Sequence, residues 1–404
     1  MAMRNPRTYL LIALSSFTLL AVVFLANATF LFRAGELEGA AELIAAQQND
    51  HAIVNTLYVS LPYLKYQTYR ARAPEIVAVG TSRAMQFREY HFTRPFYNLG
   101  GVNGKPPQYL NTLEQLFREA PPKVALVVID FWTYCHRAGK TPDPVFATAP
   151  PPSAKPASIV RLPVELLAEG KLSAKDYVAV LRQGVPEVNG LRFLGVTGSL
   201  RMNGFARDGS RYTFASPTHL KGAPLSGRWR ETLQRIESGT SNFRRNCTLD
   251  RAKVDALLFE FIERLKSLGT QPVLIFGPLP QATLQAMAGH PQAYAYVDEL
   301  RRYVAEKASV PVFDYHQGAD IGSPDCEFRD GFHGGEITYM RMLLDAAGRP
   351  QSPLAGYVDE VYLARAVANH PGRLTVGSAF IRQSMAAYFE REAGAEGCSG
   401  ESRR

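Results

Sequence analysis

The stretch VAVGTSRAMQFREY, Val77–Tyr90, starts apolar, breaks at Gly80-Thr81-Ser82-Arg83 and continues as a helix-like segment. A serine just past a buried strand has two readings. It caps the following helix, since Ser and Thr hydroxyls accept from first-turn N–H groups. Alternatively it is a nucleophile, which needs a base to take its proton. Taken alone, the motif favours the cap. No Gly-Lys-Ser/Thr follows, so it is not a P-loop. Ala84 stands where the G-x-S-x-G elbow of α/β-hydrolases requires Gly.

The surrounding pattern is that of an α/β protein. Strand-like runs occur at Glu75–Gly80 (EIVAVG), Pro95–Leu99 (PFYNL), Lys123–Asp130 (KVALVVID), Gln271–Gly277 (QPVLIFG) and Val310–Tyr315 (VPVFDY). Unbroken apolar runs such as KVALVVID mark strands buried on both faces. Between them, Val254, Leu257, Leu258, Phe261, Ile262, Leu265 and Leu268 recur at helical spacing, with Gly269 as the stop. A helix is also predicted over about Pro291–Lys307. Alternating strands and helices imply a parallel sheet with helices on both faces, and ligand sites at the C-terminal strand ends. The turns to read are then GTSR, NLGGVNG, DFWTY, GPLP and DYHQ.

The 404 residues are 46% hydrophobic and 20% charged, enough to bury a sizeable core and unlike a disordered chain. The net charge of +8 suits an anionic partner such as an acidic glycan or a lipid headgroup. No Lys/Arg run is interleaved with aromatics, which argues against nucleic acid. Thr8–Phe32 is 25 residues without a charge, preceded by Arg4 and Arg7. That length crosses a hydrocarbon core of about 30 Å, and the basic flank places the remainder outside the cytoplasm. Ala26-Asn27-Ala28 resembles a cleavage site, but the apolar run is long for a signal peptide. Cys135, Cys247, Cys326 and Cys398 form no C-x-x-C pair, and an exported domain permits one or two disulfides in three possible full pairings. Residues 34–73 read as a helical stalk, and about 136–245 as an insertion or lid with some helix. Arg201, Arg207 and Arg211 within it are candidate contacts to an anionic sugar, or a solvated loop.

A second constellation is CEFRDGFHGGEITYMRMLLD, where Asp330 and His333 are three residues apart and precede an amphipathic helix. At that spacing in a turn, a carboxylate reaches the histidine ring, fixes its tautomer and leaves the other nitrogen as a base. A surface turn is the plain alternative. A metal site at Asp330, His333 and Glu336 is disfavoured, because no further oxygen-rich partners are evident.

Together, a Ser after the first strand and a D-x-x-H after the last resemble the SGNH hydrolase superfamily. GTSR (80–83), YNLGG (97–101), VVIDF (127–131) and FRDGFH (328–333) resemble its membrane-anchored branch, similar to the alginate O-acetylation factors and the teichoic-acid D-alanyl transfer protein. The likeness covers about 74–135 and 250–345 and lies in the order of short motifs. It implies a three-layer α/β/α, flavodoxin-like domain at 74–345, behind an anchor at 1–33 and the stalk, with a C-terminal extension at 346–404. It implies Ser82 as nucleophile, His333 as base and Asp330 as the orienting carboxylate, without cofactor or metal. Gly101 and Asn103 are the expected oxyanion donors, with Ser82's own N–H as a third. Asp130 stands where many secreted members carry an oxyanion Asn, so it is read as structural. The implied activity is outward-facing acyl transfer, commonly of acetyl, or ester hydrolysis on a surface polysaccharide at the inner membrane. A membrane-bound O-acyltransferase is the implied donor. The rival expectation is a non-catalytic assembly or binding protein for a polysaccharide complex. An α/β-hydrolase lipase fits less well, since its triad Asp lies well before its His.

Overall fold

The computed structural model describes residues 6–48, 51–102, 106–136, 157–214, 225–245 and 247–394. The chain forms two compact units: Met1–Leu64 with Pro151–Gly204, and Lys65–Pro150 with Phe205–Arg404.

The second unit holds a five-stranded sheet. Its strands are β1 (Ile76–Val79), β2 (Phe96–Asn98), β3 (Val124–Ile129), β4 (Gln271–Phe276) and β5 (Val312–Asp314). They lie in the order β2-β1-β3-β4-β5, and every pairing is parallel. The period-two alternation divides their side chains between two cores. Val77, Val79, Ala125, Val127, Ile129, Leu274 and Phe276 meet helices α1 (Pro106–Glu119), α2 (Glu260–Ser267) and α3 (Pro291–Lys307) through Leu116, Phe117, Phe261, Leu265, Val297 and Leu300. Ile76, Ala78, Leu126, Val128, Val273 and Ile275 meet Ile337, Met340 and Leu343 of α4 (Glu336–Gly348). Both faces are thus dry, which is why these strands read as continuous apolar runs.

Described residues after 345 contribute to this core. Leu354, Val358, Leu363 and Val376 pack with α4. The chain order reverses between β1 and β3, so their C-terminal ends flank a topological switch point. Gly80–Ser82 and Asp130 emerge there.

The first unit departs from the expected stalk. Its helix Pro6–Arg33 is long and apolar enough to cross a membrane, and its side chains are exposed or half-exposed as far as Ala26. The residues after it do not run on as a helical rod. Strand Ala52–Val54 pairs in parallel with Arg192–Leu194, recruiting the segment read as a lid. Glu36 is buried and accepts from the N–H groups of Tyr58 at 2.6 Å and Val196 at 2.7 Å. A pairing across about 140 positions leaves no local signal, so two segments that look unrelated in sequence form one core.

A disulfide joins Cys135 to Cys247 in the second unit, beside the antiparallel pairing of Cys135–His136 with Thr248–Leu249. Cys326 is also disulfide-bonded. Cys398 lies outside the described residues.

Candidate functional site

Ser82 sits where β1 ends. Gly80 has φ +148°, and a Cβ there would meet Val128 at 3.0 Å from its Cβ and 3.1 Å from its O, so the turn requires glycine. A 3₁₀ turn, Ser82–Gln86, follows, and its N-cap is Thr81, whose hydroxyl accepts weakly from the Arg83 N–H at 3.5 Å. The capping role expected as the alternative for Ser82 therefore falls to its neighbour, and the Ser82 hydroxyl is turned elsewhere. Its Oγ lies 2.7 Å from His333 Nε2.

His333 Nδ1 lies 2.7 Å from Asp330 Oδ2 and 3.0 Å from Oδ1. Asp330 Oδ1 also accepts from the His333 N–H at 3.0 Å and more weakly from the Phe332 N–H. Burial alone would raise the Asp330 pKa, but these hydrogen bonds hold it below the usual carboxylate range. An ionised Asp330 accepts a hydrogen bond from the His333 Nδ1–H, so Nε2 presents its lone pair to the Ser82 hydroxyl. Three residues separated by up to 251 positions thus form one hydrogen-bonded line.

The turn that carries Asp330 and His333 is held from outside. Thr232 Oγ1 donates to the Asp330 carbonyl, and Thr283 Oγ1 donates to the Gly331 carbonyl at 2.6 Å. Gly331 has φ +90°, and a Cβ there would press on Thr232 at 3.1 Å. The Arg329 N–H closes the turn on the His333 carbonyl at 2.8 Å. Phe332 packs 4.0 Å from the His333 ring, and Trp132 meets Phe332 edge-on at 6.0 Å.

Asp130 is bound into the scaffold, as its reading as structural expected. Its Oδ1 accepts from Arg83 Nη1 at 3.1 Å and its Oδ2 from the Thr81 hydroxyl. Burial pushes its pKa up, against the pull of Arg83 and Thr81. Arg83 also donates to the Pro278 carbonyl at 2.8 Å, and its guanidinium lies 5.5 Å from the Trp132 ring. One buried arginine thus ties together the turns after β1, β3 and β4. Its motif placed it beside Ser82, but nothing in the sequence assigned it this bracing role.

The oxyanion expectations fare differently. The Gly101 N–H donates to the Gly80 carbonyl at 3.0 Å, continuing the ladder in which the Leu99 N–H donates to Ala78 at 2.8 Å. The glycine read as a free donor is therefore engaged, because the β2–β1 pairing runs on past Asn98. Its φ of +69° and a would-be Cβ only 1.6 Å from Met85 Cε still require glycine. Asn103 lies outside the described residues. The Ser82 N–H opens the 3₁₀ turn, among the first-turn donors that a helix leaves without an internal acceptor. The Asn98 side chain organises the loop, donating to the Ala84 and Phe87 carbonyls and accepting from the Gly100 N–H at 2.8 Å. Beneath it, Lys65 Nζ donates to the Asn98 and Gly100 carbonyls at 2.9 and 2.6 Å. Burial brings the Lys65 pKa down to about 7, against a smaller opposing pull from Asp208. Lys65 Nζ also lies 4.8 Å from the Phe205 ring. Lys65 was missed in the sequence because it lies in the segment read as a stalk.

Arg201 belongs to the first unit. Arg207 and Arg211 belong to the second, where Arg207 pairs with Glu89 at 3.1 Å. Among the described residues, no group of three or more His, Cys, Asp and Glu is placed to hold a metal ion. Glu336 is turned from His333 toward the Val376 N–H at 3.0 Å and the Tyr90 hydroxyl. No protein-family model and no curated protein matches the chain.

Proposed function

We propose that this protein is a membrane-anchored serine acyltransferase or esterase of SGNH type, facing outward and acting on an exported polysaccharide. The observation that carries the proposal is the line Ser82–His333–Asp330, with both key contacts at 2.7 Å. The parallel order β2-β1-β3-β4-β5 and the position of Ser82 at its switch point support the three-layer fold. The apolar N-terminal helix supports an anchor in the inner membrane, and the disulfide supports an oxidising, extracytoplasmic compartment.

Ser82 Oγ attacks the acyl carbonyl of a donor ester while its proton passes to His333 Nε2. The C–O bond to the donor alcohol then breaks, and His333 returns the proton to that leaving oxygen. A glycan hydroxyl or water repeats the sequence on the acyl-serine. The Ser82 N–H supports the oxyanion in both steps. Asp330 stays ionised and stabilises the imidazolium. The acyl donor is supplied by a membrane-bound O-acyltransferase, since acyl-CoA is cytoplasmic.

The test uses the full chain and an activated acetyl ester, followed by mass analysis of the Ser82 peptide. Wild type is expected to carry an acetyl adduct, and Ser82→Ala to lose about 10³-fold or more of its turnover with an unchanged melting curve. Equal turnover by the variant overturns the role of Ser82. The engaged Gly101 N–H favours a second reading, a non-catalytic glycan-binding component. It predicts no adduct on wild type with any acyl ester.

A further inference from the structure

The first unit contains a helical hairpin, Leu162–Ala168 and Ala174–Gln183, packed beside the anchor helix. Its register against the anchor follows from two contacts. The Tyr177 hydroxyl donates to Asn27 Oδ1 at 2.9 Å, and its ring stacks on Phe30 at 4.8 Å. Further along, Arg33 Nη1 donates to the Leu181 and Arg182 carbonyls at 2.7 and 2.9 Å. The second hairpin helix therefore runs parallel to the anchor, position 177 beside 27 and position 182 beside 33. One turn back, Ser173 falls level with about residue 23, at 1.5 Å of rise per residue in both helices. The tip of the hairpin points back toward the membrane.

A hydrocarbon core of about 30 Å takes about 20 helical residues. Counted from Arg7, the basic flank, that core ends near Asn27. The anchor burial agrees: residues through Ala26 are exposed or half-exposed, and Asn27, Phe30 and Leu31 are buried by the unit's own core. The hairpin tip thus lies at or just below the plane where the hydrocarbon gives way to headgroups.

Its composition suits that plane. Ala168, Gly170 and Ala174 are exposed there, and Val164 and Val178 are 47% and 41% exposed one turn higher. Among the charges at the tip, Asp176 accepts from the Ser173 hydroxyl at 2.6 Å. Lys171 Nζ meets Glu169 at 2.7 Å, and the Lys175 stem can run along apolar surface with its ammonium in the headgroups.

We infer that this hairpin seats in the outer interfacial layer of the bilayer that the anchor crosses, so that the first unit grips the membrane surface as well as spanning it. The inference rests on the anchor reading of Pro6–Arg33, and it is independent of the chemistry at Ser82. The occupant of this face is lipid, because the exposed apolar surface of the anchor continues onto the hairpin at one height.

The test places an environment-sensitive dye on single introduced thiols of the full chain in lipid nanodiscs: Leu14→Cys, Ala168→Cys, Val178→Cys and Glu187→Cys. Glu187 is exposed and lies beyond Gly184, whose would-be Cβ is 3.7 Å from the Arg33 carbonyl, on the far side of the anchor's end. Lipids brominated near the glycerol are expected to quench Ala168 and Val178 several-fold more than Glu187. Lipids brominated near the chain ends are expected to quench Leu14 most. Quenched Leu14 with Ala168 no different from Glu187 overturns the seat alone. Unquenched Leu14 overturns the anchor, and the seat falls with it.

Discussion

Two histidine–carboxylate pairs of the second unit, His333–Asp330 and His91–Glu336, use the same groups and differ in exposure and in what the other ring nitrogen meets. In the first, the His333 and Asp330 side chains are 22% and 39% exposed. In the second, His91 and Glu336 are fully buried, with His91 Nε2 3.6 Å from Glu336 Oε1. In the sealed pair, the His91 Nδ1 lone pair accepts from the Arg88 N–H at 3.3 Å. The ring proton is then on Nε2, facing the carboxylate, and no basic nitrogen remains. In the open pair, the proton is on Nδ1 and the lone pair on Nε2 meets a serine. Arg88 adds a second difference. It lies 3.6 Å from Glu336 and 3.9 Å from the Tyr212 ring, and it compensates a carboxylate that burial alone would neutralise. Residue type therefore does not distinguish a ring with a lone pair facing a serine from a buried strut. The nitrogen that the backbone occupies does, together with access to solvent.

The largest expected effect breaks the open pair. Asp330→Asn should lower acyl turnover by about 10⁴-fold, because the amide no longer fixes the tautomer, while the melting temperature barely moves. Stopped-flow acylation beside calorimetry measures both, and a loss below tenfold would remove Asp330 from the mechanism.

Breaking the sealed pair should reverse that pattern. Glu336→Ala leaves Arg88 buried without its counter-charge and should cost about 3–5 kcal/mol of stability. Burial would raise the Glu336 pKa, yet Arg88, His91 and Tyr90 hold it down to about 2. A depressed carboxylate pKa stabilises above its unfolded value of about 4.5 and loses that contribution as pH falls toward 2. Urea midpoints across that window should fall more steeply for wild type than for Glu336→Gln.

Much of this was legible in the chain, for a local reason. The five strands lie within the apolar runs read for them, since burial on both faces leaves a continuous signature. Ser82, Asp330 and His333, which the structure brings within hydrogen-bond distance, stand out in the sequence because each follows a strand or turn with its own punctuation. Arg83 and Lys65 were not, because their roles depend on distant carbonyls at Pro278, Asn98 and Gly100. Gly101 was read for its backbone freedom, which is real, but its N–H belongs to the β2–β1 ladder. The first unit escaped because its strand pairing is non-local.

Lys65 offers a smaller test of the loop beneath the open site. Its folded pKa, about 7, is depressed from the ordinary lysine value, so the unfolded chain binds more protons between the two. Wild-type stability should rise relative to Lys65→Met, by up to about 1.4 kcal/mol per pH unit above pH 7. A constant difference from pH 7 to 10 would return Lys65 to an ordinary surface-like lysine.

Smallest is Thr232→Val, which removes one hydrogen bond to the Asp330 carbonyl. It should cost about 1 kcal/mol of stability and lower kcat with KM unchanged. A change in KM alone would argue against a positioning role for Thr232.

The parallel pairing of Ala52–Val54 with Arg192–Leu194 also sets a timetable for synthesis. Ile53 leaves the ribosome about 140 residues ahead of its partner Phe193, a wait of roughly 7–28 s at ordinary elongation rates. Within that interval β1, β2 and β3 have all emerged and can pair with one another. The half of the sheet that presents Ser82 can therefore assemble before the unit next to the anchor has the residues to close.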